Sequence, residues 1–203
     1  MGVEITLLAL SLVTSAPASG TPPPDALPFG ISQQRTPSTL GCRAIAGSPD
    51  STGQYVCDTL PRPNVLFEEY VIAYVKGFGI CNVVGISPYN RDDRRGTETR
   101  RLFRKASEIV SSEFGPPDER VDYVSDLSAQ REDSFRSAII SEERQVFHQW
   151  NGLSRRFKNM ESASLTISGS DELGLAIYGV YRFAGNDQCL RQMERITGLS
   201  PDE

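Results

Sequence analysis

Apolar and polar residues alternate strictly over the last third of the chain. Residues 162–168 place serine and threonine between Ala163, Leu165 and Ile167, which predicts a strand with one solvated face. After a turn at residues 169–171, the next strand carries its apolar side chains on one face: Leu173, Leu175, Ile177, Tyr181 and Phe183. These two runs predict an antiparallel hairpin.

Earlier in the chain the same period predicts three more strands. Residues 65–75 have apolar residues on both faces, and a turn at 76–79 leads into a second apolar run at 80–86. Residues 144–150 place Val146, His148 and Trp150 on one side, which favours a strand. Because Val146 and Trp150 are also four apart, a helix fits this segment nearly as well.

Helical spacing is clearest between Thr97, a candidate N-cap, and the breaker Gly115-Pro116-Pro117. A second helix is predicted between Ser128 and Ser141. A last helix begins near Asn186 or Asp187 and buries four side chains: Cys189, Leu190, Met193 and Ile196. Together the elements predict a single α+β domain over residues 29–203, with an antiparallel sheet built from hairpins in ββα-like units and helices packed on one face.

The N-terminal segment has the pattern of a secretory signal peptide. An apolar run at residues 5–13 is too short to span a bilayer, and Ala-Pro-Ala at 16–18 resembles a cleavage site. We therefore expect a signal peptide at residues 1–20, a Pro-rich mature N terminus at 21–28, and a periplasmic or secreted protein. No basic residue precedes the run, which is unusual for a signal. The alternative is an amphipathic or core segment.

Four cysteines form an even set without any C-x-x-C pair, which favours disulfides over metal ligation. A turn-rich stretch at residues 47–53 would place Cys42 opposite Cys57 in a hairpin, and this leaves Cys81 to pair with Cys189. The alternative is that the cysteines are buried free thiols.

Charge is unevenly distributed along the chain. Residues 91–105 contain seven basic and three acidic residues, whereas residues 108–143 contain ten acidic residues and three arginines. The basic stretch predicts a binding surface for an acidic protein, formed by Arg91, Arg94, Arg95, Arg100, Arg101 and Arg104. Alternatively, it is a solvated face that pairs with the acidic stretch of the same molecule. The net charge of −5 argues against nucleic acid as a partner.

Few residues in the chain suggest catalysis. His148 is the single histidine, no G-x-S-x-G elbow is present, and no metal or cofactor motif was found. We therefore expect a non-catalytic protein-binding module, of the inhibitor or immunity type, in the cell envelope. The alternatives are an enzyme of unrecognised class that uses His148 and Arg144, and a structural envelope component.

Several short motifs resemble those of a family of uncharacterised exported bacterial proteins. They are Pro28-Phe29-Gly30-Ile31-Ser32, Leu60-Pro61-Arg62-Pro63, Leu66-Phe67-Glu68-Glu69-Tyr70, Gly79-Ile80-Cys81-Asn82-Val83 and Phe114-Gly115-Pro116-Pro117, followed by Glu142-Glu143-Arg144, Trp150 and Cys189. The resemblance implies an envelope location and a mixed α/β fold, and it carries no catalytic residues. Family members open a helix near residue 30, whereas here Pro37 interrupts that segment.

Overall fold

One antiparallel sheet organises the described part of the chain. The computed structural model describes residues 28–130, 134–157 and 159–198. The eight strands are β1 (Arg43–Ala44), β2 (Gly53–Cys57), β3 (Glu69–Val75), β4 (Gly79–Ile86), β5 (Glu119–Val124), β6 (Arg144–Trp150), β7 (Met160–Ser170) and β8 (Gly174–Phe183). Their spatial order is β1-β2-β3-β4-β8-β7-β6-β5. The predicted signal peptide and nearly all of the Pro-rich segment lie outside these ranges.

Four α-helices accompany the sheet: α1 (Thr97–Phe114), α2 (Asp126–Gln130), α3 (Phe135–Ile140) and α4 (Asn186–Thr197). Short 3-10 turns occur at Pro28–Gly30, Ser38–Leu40 and Leu153–Arg155. The predicted α+β class with an antiparallel sheet is therefore confirmed.

The larger core lies between one sheet face and α1. The helix buries apolar side chains at positions that recur every three or four residues: Phe103, Ala106, Val110 and Phe114. They belong to one cluster with side chains from across the sheet, among them Ile72, Leu165 and Trp150. This packing fixes α1, and with it the basic residues at its N-terminal end, against the sheet.

A smaller core lies on the opposite face, where α4 covers β3 and β4. Ala73 and Val75 pack there with Met193, while their neighbours Ile72 and Tyr74 point into the larger core. The prediction put all helices on one face, but α4 packs on the other. The physical reason is that β3 is apolar on both faces, so each face needs its own cover.

Two disulfides join the predicted partners. Cys42 bonds to Cys57 across the β1–β2 hairpin, and Cys81 on β4 bonds to Cys189 on α4. Their sequence separations are 15 and 108 residues. Disulfides persist in oxidising compartments, so both bonds indicate a protein that functions outside the cytoplasm.

The remaining predictions of secondary structure had mixed outcomes. Residues 144–150 form strand β6, as favoured, but β5 was not predicted, and the helix expected between Ser128 and Ser141 is divided into α2 and α3. Ser134 accounts for the second start, because its side chain caps α3 by accepting from the Ser137 amide. Among the helices that are described, none combines the length and the apolar character of a membrane span.

Candidate binding surface

The basic stretch begins in a loop that β8 holds in place. Asn90 and Leu175 exchange backbone hydrogen bonds of 2.7 and 3.1 Å, and the Ser87 hydroxyl accepts from the Ile177 amide at 2.9 Å. A Cβ at Gly174 would lie 2.4 Å from the Asn90 carbonyl oxygen, so only glycine allows this approach. The chain therefore leaves the sheet at Arg91 in a fixed direction.

Asp93 caps the N terminus of α1. Its carboxylate accepts hydrogen bonds from the amides of Thr97 and Thr99 and from the Thr99 hydroxyl. Burial by itself raises the pKa of Asp93, but these hydrogen bonds outweigh it and hold the pKa below its ordinary value. Asp93 thus supplies the cap that the sequence assigned to Thr97, and its negative charge offsets the cost of basic residues at a helix N terminus.

Phe135, the first residue of α3, forms a platform beneath two arginines. The guanidinium carbons of Arg100 and Arg144 lie 5.0 and 4.8 Å from its ring centroid. Gly96, at φ +64°, packs so tightly here that a Cβ would lie 2.0 Å from the ring. Both cations are within cation–π range, so Phe135 joins the start of α1 to β6.

The next residue, Arg136, holds the loop from the other side. Its guanidinium donates to the carbonyl oxygens of Arg91 and Asp171, the latter at 2.7 Å, and its amide donates to the Arg94 carbonyl at 3.2 Å. Because these bonds use only backbone oxygens, of the loop and of the β7–β8 turn, they leave the loop's own guanidinium groups unused.

The six predicted binding arginines consequently divide into two groups. Arg100 stacks on Phe135 and donates to the carbonyl oxygens of residues 96 and 95, while Arg101 pairs with Glu98, with Nε 2.8 Å from Oε2. All six are exposed, but the remaining four form no ion pair, side-chain hydrogen bond or ring contact within residues 28–130, 134–157 and 159–198; we call them the arginine surface: Arg91, Arg94, Arg95 and Arg104.

The acidic stretch does not neutralise this surface in the part of the chain that is described. The ion pairs there are Arg43–Asp58, Arg101–Glu98 and Arg144–Asp122. None of them connects the arginine surface to acids of residues 108–143. Pairing within the molecule, the alternative raised by the sequence, therefore finds no support among these contacts.

His148 and Arg144, the alternative catalytic pair, have separate environments. His148 Nδ1 lies 2.7 Å from the hydroxyl of Ser107, a residue only 8% exposed, and its ring lies against Phe103. Burial, followed by the positive charge of Arg120, lowers the pKa of His148. Arg144 instead stacks on Phe135 and donates two hydrogen bonds to Asp122. The Ser107–His148 hydrogen bond links α1 to β6 inside the protein.

Open hollows occur beside these residues. One of about 550 Å³ is lined by Arg144, Phe147, Thr166 and Arg182, among others, but not by His148. Another, of about 530 Å³, lies beside the arginine surface and is lined by Arg94, Arg136, Ser137 and Asp171 and by their neighbours. In the described ranges no three histidine, cysteine, aspartate or glutamate side chains are grouped to hold a metal ion.

Comparison with known proteins adds nothing to this description, because no family model, curated protein or solved structure matches the chain.

Three residues that organise the surface were not found from the sequence: Asp93, Phe135 and Arg136. Asp93 had a usable signal, since an aspartate shortly before a helical pattern is a capping candidate. Phe135 and Arg136 had no such signal, because they contact the loop only in the folded structure. Along the chain they lie 39 or more residues away from Gly96.

Proposed function

We propose that the protein is an exported, non-catalytic binding module of the cell envelope, of the inhibitor or immunity type, that binds an acidic partner protein through the arginine surface. The observation that carries this proposal is the set of four exposed arginines without ion pairs in the described residues. Guanidinium groups bind carboxylates in a bidentate manner and are enriched at the centres of protein interfaces.

The backbone beneath the surface supports a binding role. Asp93, Phe135 and Arg136 hold the loop and the start of α1, so the arginines project from a prepared scaffold. A prepared surface loses less conformational entropy on association than a flexible one. The adjacent hollow that Arg94 and Arg136 line offers room for a partner's carboxylate side chain.

The location proposed for the protein is the periplasm. Two disulfides are consistent with the periplasm, and the resemblance to exported bacterial proteins and the signal-like N terminus favour it further. An enzyme built on His148 and Arg144 is less well supported, because the two side chains bind separate partners.

The proposal is tested by affinity capture from a native envelope extract with three baits of known charge. They are the wild type, the surface variant Arg94→Glu/Arg95→Glu/Arg104→Glu, and the control Arg35→Glu/Arg155→Glu/Arg191→Glu. The control changes three exposed arginines elsewhere, so its net charge equals that of the surface variant. We expect one acidic polypeptide to be retained by wild type and control, released by salt, and lost with the surface variant.

Retention of the same polypeptides by all three baits would contradict the proposal. Recovery of every bait alone at low salt would contradict it too.

A further inference from the structure

Strand β5 leaves one edge of the sheet open. Among the described strands it pairs only with β6, and five of its six residues are exposed, with Tyr123 at 56% and Val124 at 39%. Leu127, just beyond the strand, is 52% exposed. The opposite edge is β1, which has two residues and lies beside the Cys42–Cys57 bond. An open six-residue edge presents unpaired backbone groups to another strand.

The backbone pattern identifies which residues of β5 face outward. The Ser125 amide donates to the Glu143 carbonyl at 2.7 Å, so odd-numbered residues exchange hydrogen bonds with β6. Residues Arg120, Asp122 and Val124 therefore direct their amide and carbonyl groups toward the open edge. Their side chains lie together on one face of the sheet, since side chains alternate along a strand.

We propose that β5 binds β5 of a second copy of this chain, antiparallel, about a two-fold axis at Val121. In this register each copy's Arg120 lies directly opposite the other copy's Asp122, so the interface contains that charge pair twice. Each Glu119 lies opposite the other copy's Tyr123. Opposite charges at directly facing positions stabilise a strand pair, and a two-fold axis makes both pairs form together.

Other registers lose this match. A shift of two residues in one direction places the two Arg120 side chains opposite each other, and the shift in the other direction does the same to the two Asp122 side chains. A shift of one residue sets outward backbone groups against inward ones, which breaks the hydrogen bonds. Among these neighbouring registers, the charge pattern of the strand thus favours the one centred on Val121.

Within a single copy, Asp122 and Arg120 each keep atoms that can bind the second copy. Arg144 donates to Asp122 through Nε and Nη2, at 2.9 and 2.6 Å, and both bonds go to Oδ1. The Oδ2 atom accepts no hydrogen bond from the described residues. Arg120 likewise forms no ion pair with them, although it lies beside His148 on the neighbouring strand.

The test is a charge-reversal complementation, measured by sedimentation velocity across a concentration series of the purified, disulfide-bonded protein. Arg120→Glu alone sets acid opposite acid, and Asp122→Lys alone sets base opposite base. Each change affects both symmetry-related pairs, so each variant should raise the dimer dissociation constant at least about tenfold. An equimolar mixture restores both attractive pairs, so a heterodimer should form.

Two further variants keep the result interpretable. Val124→Pro removes only an outward amide at the end of the strand, so it should weaken dimerisation while β5 stays paired with β6. Arg191→Glu, on α4, is the charge control and should dimerise as the wild type does. Melting temperatures show that each variant is folded, which matters most for Asp122→Lys because it removes the acceptor of Arg144.

The proposal is overturned by a wild type that stays monomeric across the series. It is equally overturned by a dimer that neither charge reversal weakens, or by two folded variants that do not associate on mixing.

Discussion

The two ends of the sheet are stabilised by different means. At the β1–β4 end, one disulfide closes a hairpin and the other ties α4 to β4. At the β5–β6 end, the described contacts are noncovalent and centre on guanidinium groups, which stack on Phe135 or bind Asp122 and loop carbonyl oxygens. Arginines in this chain therefore serve two purposes. Some hold the fold, and those of the arginine surface remain exposed.

Removing the disulfides at the β1–β4 end should lower the free energy of unfolding more than any other change. Cys81→Ala/Cys189→Ala opens a loop of 108 residues and should lower the free energy of unfolding by about 4–5 kcal/mol. Cys42→Ala/Cys57→Ala opens a loop of 15 residues and should cost about 3 kcal/mol. Urea denaturation without reductant measures both. Equal losses, or losses below about 1 kcal/mol, would contradict a covalent contribution that grows with loop length.

At the β5–β6 end, stability should depend on Phe135, the ring on which two arginines stack. Phe135→Ala removes a buried ring and both cation–π contacts, and it should cost about 3 kcal/mol. Phe135→Leu keeps most of the buried volume and should cost about 1 kcal/mol.

Hydrogen exchange locates the damage in Phe135→Ala. Amides of residues 91–96 should lose protection, while those of the β1–β2 hairpin keep it. An even loss of protection over both ends would show that the ends are not separate in stability.

A smaller effect with a defined pH dependence is expected at Asp93. The folded state lowers the pKa of this carboxyl, so its stabilisation is complete above about pH 4 and disappears as the pH falls through the folded value. Asp93→Ala should therefore cost about 1–2 kcal/mol at pH 7, and the difference from wild type should be smaller at pH 2. Urea denaturation at the two pH values measures it. A difference that is the same at both values would exclude the charged cap.

Long, regular patterns made most of the fold predictable. The strand period of two recurs over residues 160–183, and the helical period recurs over residues 97–114. The turn at 47–53 placed Cys42 beside Cys57. Strand β5 escaped prediction because its sequence, Glu-Arg-Val-Asp-Tyr-Val, buries neither face and so lacks the apolar alternation of a core strand.

The candidate surface was only partly predictable. Composition located the basic stretch, but it could not distinguish Arg100, which stacks on Phe135, from Arg104, which has no ring contact or ion pair in the described residues. That distinction depends on α3, a six-residue helix distant in the chain. Helix α4 was expected on the face of α1; residues 65–75 are apolar on both faces, but only the packing of Val75 and Met193 shows that α4 covers the second face.

The smallest effect on stability, joined to the largest on binding, is expected at the arginine surface. Arg94→Glu/Arg95→Glu/Arg104→Glu changes exposed side chains without ion pairs in the described chain, so the free energy of unfolding should change by about 0.5 kcal/mol or less.

The most direct measurement records stability and partner capture on this one variant, beside wild type and the matched control. We expect the variant to unfold at nearly the same urea concentration as the wild type and to retain no acidic partner. A variant that retains the partner would contradict the assignment of these arginines to binding, and a variant that has unfolded would contradict their separation from the contacts that hold the fold.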